Sequence, residues 1–353
     1  MDSTSAGLDF AAIGHQDSWE NIESFINCIR SQEQVKLPLQ KIKEIFSFIP
    51  PRDLFRVKVR SQTGSEINGV YIETFIDPGK LGESYTRTNI GKVKNAMSFA
   101  NKMGAGIATL GGFTSIVLEG NLDGFEGKMT KFTTGNTLTA AFIVKGIEKA
   151  AKQVQVEITA SNILIMGATG DIGMACVNYF KHKCGKMLLC ARNHHRLEKL
   201  TNLLNAENVI TEYSVDVNDL TSKADIIICV ASSSGIDLSG CKRNLLVCDA
   251  GYPKNLQSKV ETNEIKLFHG GMGQVSGGFD FLPDYSGNFY QYPVSHAIHG
   301  CLLEAMVLAF EQKMENYSYG KGNITVDRIE EIYGMALKHG IDVAPFFNGK
   351  GVW

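Results

Sequence analysis

Apolar positions recur along this chain in two rhythms, and the place where one gives way to the other predicts its elements. Residues 1–50 carry an amphipathic spacing that predicts helix as far as Pro50-Pro51. Phe55-Arg-Val-Lys-Val-Arg60 alternates apolar and basic side chains, as a half-exposed strand does. A Gln62-Thr-Gly-Ser turn leads into a second strand over 69–76, which together predict a β-hairpin. Val93, Ala96, Met97 and Ala100 then repeat at helical spacing, and another helix is expected over 138–153. Beyond it, short apolar runs at 163–166, 186–191, 209–215, 225–231, 245–250 and 265–269 are separated by turns or helix-length segments. Such alternation specifies a parallel sheet with right-handed crossovers. Two helices, over 295–313 and 326–339, are expected near the end.

A chain of 353 residues exceeds one ordinary domain. The expected fold class is α/β: a Rossmann-like doubly wound parallel sheet, an N-terminal α/β substrate domain, and C-terminal helices packing back. The expected boundaries are 1–137 for the substrate or partner domain, 138–294 for the nucleotide-binding domain and 295–353 for the helical segment. With 44% hydrophobic and 20% charged residues the chain can bury a sizeable core. A net charge of −2 offers no bulk attraction to nucleic acid or an anionic membrane. No apolar run is long enough to span a bilayer, and Met1-Asp-Ser-Thr-Ser has no signal-peptide pattern. The eight cysteines are scattered, and Cys190, Cys229 and Cys248 sit inside strand-like runs, as small buried hydrophobes do in a reducing cytoplasm. No Cys-x-x-Cys pair or His/Cys cluster has zinc-ligand spacing, so no metal site is expected.

The chemistry begins at Gly167-Ala168-Thr169-Gly170-Asp171-Ile172-Gly173, where a buried-strand pattern runs straight into a helix. Gly167 permits the tight turn, Gly170 leaves room for a pyrophosphate, and Gly173 lets helix and strand pack closely. The helix N-terminus offers free N–H groups to the phosphates. The plain alternative is a strand-to-helix turn with no ligand, but both flanking elements appear where a dinucleotide site requires them. The next strand ends in Ala191-Arg192-Asn193 without the acidic residue that would bind the ribose hydroxyls of NAD. A guanidinium there suits a 2′-phosphate, so NADPH is the expected cofactor. Ala231-Ser232-Ser233 and Gly251-Tyr252 fall at later strand ends and are expected to border the ribose and nicotinamide, with Lys254 near the reacting carbonyl.

Several segments together resemble the cyanobacterial long-chain acyl-(acyl carrier protein) reductases, which make fatty aldehydes from acyl thioesters. They are Leu110-Gly-Gly-Phe-Thr-Ser-Ile116, Phe132-Thr-Thr-Gly-Asn-Thr137, Gly167–Gly173, Ala191-Arg-Asn193 and Gly251-Tyr-Pro-Lys-Asn-Leu256. Smaller matches, from Ile13-Gly-His15 and Tyr71-Ile-Glu73 to Glu304-Ala-Met306, extend the likeness over nearly the whole chain in order. The resemblance implies that Cys301, ahead of the Glu-Ala-Met segment, carries the acyl group as a thioester. It also implies that Gly111, Gly112, Thr114, Thr133, Thr134 and Asn136 line the substrate pocket; helix capping and close packing are their plain structural alternatives. Acyl carrier protein or acyl-CoA would be the donor and an aldehyde-consuming enzyme a partner. Mg²⁺ is raised by the resemblance alone, with no ligand set in the sequence. On a continuous helix, His296 and His299 lie well around from Cys301, so neither is an obvious base. Lys80, Arg87, Lys92 and Lys94 are candidates for a carrier-protein patch, or simply a solvated face. The stretch 272–297, with Phe279, Phe281, Tyr285, Phe289, Tyr290 and Tyr292, departs from the family pattern and is either an acyl channel or a packed lid.

Two rival readings keep the Rossmann unit. One is a shikimate- or amino-acid-type dehydrogenase with direct hydride transfer, although no acid–base pair stands out in the first 130 residues. The other is an NADPH-binding module without turnover.

Overall fold

The computed structural model describes residues 7–353 except 17, 31–34, 78, 119–123, 126, 232–234, 243, 253, 257–263, 285–291 and 321. It divides into two compact units. The first takes in Met1–Gly135, Val275–Lys321 and Gly334–Ile341; the second takes in Asn136–Gln274, Gly322–Tyr333 and Asp342–Trp353. The first boundary thus falls at Gly135/Asn136, and residues 295–353, expected as one helical segment, are shared between the units.

The first unit is built on a six-stranded sheet. Its labelled strands are β1 (Phe10–Gly14), β2 (Arg52–Arg60), β3 (Glu66–Glu73), β4 (Ile107–Leu110) and β5 (Lys131–Thr133). The order is Phe279–Leu282, β2, β3, β1, β4, β5. Strands β3, β1, β4 and β5 are parallel, while β2 and Phe279–Leu282 add on antiparallel, and β2–β3 is the expected hairpin. Helix Thr86–Lys102 lays Val93, Ala96, Met97 and Ala100 on one face of this sheet, against Ala11, Ile13, Val70 and Ile72. Helix Gly300–Phe310 packs on β4, β1 and β3.

Two expectations fail here, and two strands come unforeseen. Residues 1–50 are not wholly helical: Phe10-Ala-Ala-Ile-Gly14 is a fully buried strand between β3 and β4, flanked by helices Trp19–Ile29 and Leu39–Phe46. A short run buried on both faces has no period to distinguish it from helix. Strands β4 and β5 have no counterpart among the expected elements, because four- and three-residue strands are too short to show alternation. The helix expected over 295–313 starts only at Gly300; Ala297–His299 is extended and His296 turns through φ +54°.

The second unit is a Rossmann-like sheet. Strands β6 (Asn162–Met166), β7 (Lys186–Cys190), β8 (Thr211–Ser214), β9 (Ile226–Cys229), β10 (Leu245–Asp249) and β11 (Ile265–His269) are all parallel, in the order β11, β10, β9, β6, β7, β8. The chain order reverses between β6 and β9, the switch point where open parallel sheets bind ligands. Ile163–Met166, Ile226–Cys229 and Leu245–Cys248 are essentially inaccessible to solvent, which is why these strands read as continuous apolar runs.

Candidate active site

At the switch point of the second unit, β6 passes through Gly167 into helix Asp171–Phe180. Gly167 holds φ +86°, and a Cβ on it would lie 2.8 Å from the Ala231 Cβ. A Cβ on Gly173 would strike the Gly167 carbonyl oxygen at 2.0 Å, so helix and turn touch as expected. At Gly170 a Cβ would meet only that same oxygen, at 3.2 Å, so the space over it is open for a phosphate. Asp171 puts a carboxylate at the helix start, where it would repel a phosphate. Its oxygens are instead held by the Asn136 amide (3.1 Å) and the Gly322 N–H (3.3 Å), which leaves its backbone rather than its side chain to face a ligand.

Arg192 stands exposed just past β7, and no described carboxylate forms an ion pair with it. The Asn193 side chain caps helix His194–Ala206, its Oδ1 accepting from the Arg196 N–H at 3.0 Å. Ser232 and Ser233 lie outside the described residues. The loop after β10 is wound around Asp249, a buried carboxylate that sequence reasoning passed over. It accepts from the N–H groups of Gly251 (3.1 Å), Asn255 (2.7 Å) and Leu256 (3.1 Å) and from the Asn255 amide (3.1 Å). Asn255 also donates to the Ala231 carbonyl at 3.0 Å, tying the loop after β10 to the loop after β9. Lys254 donates to the Asp249 carbonyl at 3.0 Å, so its ammonium is part of this loop's framework. The turn and its pins place Gly251, Tyr252 and Ala231 at the carboxyl ends of adjacent strands, the edge at which such sheets bind the nicotinamide half of a dinucleotide.

The residues therefore fit a dinucleotide: an open glycine turn at a helix N-terminus, an exposed guanidinium after β7, and no acid at the end of that strand. Gly167–Gly173 would hold the pyrophosphate, Arg192 the adenosine end, and Ala231, Gly251 and Tyr252 the nicotinamide.

In the first unit, the two Gly- and Thr-rich motifs converge on Cys301. A Cβ on Gly135, whose φ is +74°, would lie 2.3 Å from the Cys301 carbonyl oxygen and 2.4 Å from its Cα. A Cβ on Gly111 would lie 2.6 Å from Leu302 Cδ2. The Thr109 hydroxyl donates to the Cys301 carbonyl, and the Thr133 hydroxyl to the buried carboxylate of Glu304. These glycines are flat seats for the first turn of helix Gly300–Phe310, and the threonines are its anchors. Thr133 also accepts from the Ser318 N–H at 2.9 Å, and Thr134 donates its N–H to the Ser318 carbonyl at 2.8 Å. Thr114 donates to the Gly111 carbonyl at 2.8 Å. The hydroxyls of Thr114 and Thr133 and the amide of Asn136 are thus engaged by the protein itself, whereas Gly112 faces the sulfur of Cys301.

Cys301 is half-buried, one residue into its helix. Burial pushes its thiol up to about 11, and the neighbouring Glu304 carboxylate adds to the rise. The N–H groups of Gly112 and Leu302 beside the sulfur act the other way, as backbone donors at a helix start do. His296 and His299 are not on the helix body. His296 Nδ1 accepts from the Phe279 N–H at 3.3 Å, and His299, the residue before the helix, meets the Tyr292 hydroxyl at 2.8 Å. Of the departing stretch, Phe279 and Phe281 are buried on an edge strand beside Phe55, a packed wall; Tyr285, Phe289 and Tyr290 lie outside the described residues. Among the described residues no cluster of three or more His, Cys, Asp or Glu could hold a metal. No described helix is long and apolar enough to cross a membrane.

A Rossmann sheet with a glycine turn of this kind defines a dinucleotide-binding unit, and the relatives of the chain place it among the oxidoreductases. The family model for shikimate / quinate 5-dehydrogenase matches residues 148–269, within the nucleotide-binding unit alone. Along the full chain, the long-chain acyl-[acyl-carrier-protein] reductase of Synechococcus elongatus is 34% identical over 344 residues, 94% of this chain and 97% of that protein. The chain belongs to the long-chain acyl-(acyl carrier protein) reductase family. The aminotransferase PigE of a Serratia species is 25% identical over 82% of this chain, which spans only 34% of PigE. A quinate dehydrogenase from Corynebacterium glutamicum in complex with NAD is 13% identical, covers 70% of this chain and 81% of its own, and has a TM-score of 0.34, too distant a likeness to bear on chemistry.

Proposed function

We propose that this reductase converts a fatty acyl thioester, carried on acyl carrier protein or coenzyme A, to the aldehyde through an acyl-Cys301 intermediate, with NADPH as reductant. The observation that carries the reading is the convergence of Gly111, Gly112, Thr109, Gly135 and Glu304 on the first turn that bears Cys301. These contacts hold the backbone of that turn, with the Gly112 N–H beside the sulfur. Cys301 attacks the acyl carbonyl and displaces the carrier thiol, splitting a hard reduction into acyl transfer and hydride transfer. The N–H groups of Gly112 and Leu302 favour the thiolate as it forms. When bound, the dinucleotide supplies the hydride that reduces the acyl-Cys301 carbonyl. Arg192, unpaired with any described carboxylate, supports the 2′-phosphate form. The aldehyde then leaves and a partner enzyme consumes it.

The test is to incubate the protein with a radiolabelled acyl thioester and no NADPH. A labelled covalent adduct is expected in the wild type and lost in Cys301→Ser. Aldehyde made at the parental rate by Cys301→Ala would sink the covalent mechanism. The shikimate-type alternative, with direct hydride transfer, draws support only from the match over 148–269 and predicts no adduct at all.

A further inference from the structure

Charge is unevenly spread over the first unit. The chain as a whole carries 37 acidic residues against 35 Lys and Arg, yet from Thr86 through Leu118 it has four basic residues and not one acid. Helix Thr86–Lys102 opens that stretch, and its first turn holds Arg87 where the helix dipole favours a carboxylate. A helix face that is merely solvated mixes both signs, with Glu and Lys paired one turn apart. Within this helix no such pair exists. Lys92 is half-buried and donates to the Phe75 carbonyl, while Lys80, before the helix, stands 3.5 Å from Asp77 and over the Tyr85 ring. Arg87, Lys94 and Lys102 are exposed, and no described carboxylate forms an ion pair with them.

The surface around these cations is flat. Arg87 and Lys94 lie on one side of the helix, about 10 Å apart along its axis. Thr88, Gly91, Asn95 and Ser98 make up the rest of that exposed side, all of them small, and a Cβ on Gly91 would have nothing within 4 Å. The other side is spent on Val93, Ala96, Met97 and Ala100 against the sheet. This strip also leads to the thiol. Strands β3 and β4 both run parallel to β1, so the loops that follow them leave the same edge of the sheet. One loop enters helix Thr86–Lys102. The other is Gly111-Gly112, whose second N–H lies beside the Cys301 sulfur, and it continues as helix Phe113–Val117. The two helices pack on one another, and Ile116, one turn on from Gly112, is left 57% exposed.

Resting on the thioester reading, we infer that the acyl donor is a carrier protein and that an acidic helix of this carrier docks along Arg87, Lys94 and Lys102, with Ile116 as the apolar contact at the end nearer Cys301. An acyl carrier protein is small, helical and acidic, so its carboxylates complement cations that no described carboxylate of this chain neutralises. Coenzyme A is too compact for the whole strip, whose outer cations stand about 22 Å apart along the axis. A bilayer suits it less than a protein helix does, because an inserted face needs bulky apolar side chains and this one is small and polar between its cations. Helix Gly300–Phe310, anchored by Thr109 and Thr133, lies on the sheet face opposite the one that Ala108 and Leu110 present to helix Thr86–Lys102. The pantetheine arm of the docked carrier therefore passes over the sheet edge, across helix Phe113–Val117, to bring the thioester to the sulfur.

The test compares two donors of one acyl group: its carrier-protein thioester and its pantetheine thioester, which keeps the arm but has neither protein nor charge. In the double variant Arg87→Glu, Lys94→Glu, aldehyde formation from the carrier thioester is expected to show a KM raised on the order of 10²-fold with kcat nearly unchanged. With the pantetheine thioester the variant is expected to match the wild type. The wild-type KM for the carrier thioester is also expected to climb with ionic strength, a measurement that needs no variant to fold. An unchanged KM in the variant, a loss that falls on kcat, a loss shared equally by both donors, or a wild-type KM indifferent to salt overturns the inference. Lost binding to phosphatidylglycerol vesicles with the carrier KM intact assigns the strip to a membrane and overturns it too. A wild type that makes aldehyde from neither donor defeats the thioester reading itself, whereas aldehyde made with a KM blind to these charges defeats this inference alone.

Discussion

Gly135→Ala puts the proposed cysteine seat to a quantitative test. Two costs add. The residue sits at φ +74°, where a side chain in place of hydrogen costs roughly 1–2 kcal/mol. Its new Cβ would also fall 2.3 Å from the Cys301 oxygen, inside any real contact, and the neighbour there is backbone that cannot rotate away. Forcing a methyl into a packed site costs typically about 1–3 kcal/mol more. Gly64, in the β2–β3 turn, has φ +86° and nothing within 4 Å of where a Cβ would lie, so Gly64→Ala carries the first cost alone. The difference between the two variants therefore isolates the push on Cys301. Urea unfolding of both, read by circular dichroism, should show Gly135→Ala less stable than Gly64→Ala by about 1–3 kcal/mol. Adduct formation at Cys301 should fall by roughly 10²-fold in Gly135→Ala, as for an ångström of misplacement, and be unchanged in Gly64→Ala. Equal stability losses with full acylation by Gly135→Ala would refute the idea that the Thr-Thr-Gly-Asn motif positions the thiol.

Two further outcomes follow from named groups. Glu73 is raised from 4.5 to about 8 in the folded protein, so its neutral form is fully stabilising below about pH 4.5. That stability is lost as pH rises to about 8, by an amount on the order of 5 kcal/mol; the stability of Glu73→Gln, measured by urea unfolding at pH 5 and pH 8, should lack this decline, and a parallel decline in both proteins would place the titration elsewhere. Arg192→Ala should weaken NADPH binding by roughly 10-fold or more while leaving NADH nearly unchanged, as measured by titration calorimetry; equal losses for the two would remove Arg192 as the phosphate ligand.

The nucleotide unit was readable from sequence because its determinants are local. Gly167 needs a positive φ and Gly173 abuts the Gly167 carbonyl, contacts spanning six residues, and the flanking strands are buried on both faces. Asp249 escaped notice although its chemistry is equally local, since an acid at the end of an apolar strand looks like a solvated boundary; an acid followed closely by Gly, Pro and Asn was the available signal. In the first unit, β1, β4 and β5 were lost to shortness and two-sided burial, and with them went the register that aligns Gly14, Gly111 and Gly135. Nor did the motifs disclose that Thr133 and Thr114 bond to the scaffold itself, or that Gly111 and Gly135 abut the first turn of helix Gly300–Phe310.

The acidity of Cys301 does not distinguish it from its fellows. Cys190 is also held up to about 11 and Cys176 up to about 12, both by burial in the second unit. At pH 7 a thiol of this kind is thiolate in about one molecule in 10⁴, so the proposed attack by Cys301 cannot draw on a waiting anion. What separates it is fixation: two glycines without which its first turn could not lie where it does, a threonine on its carbonyl, and backbone N–H groups beside its sulfur. Such a site works by moving protons in step with bond formation instead of storing charge.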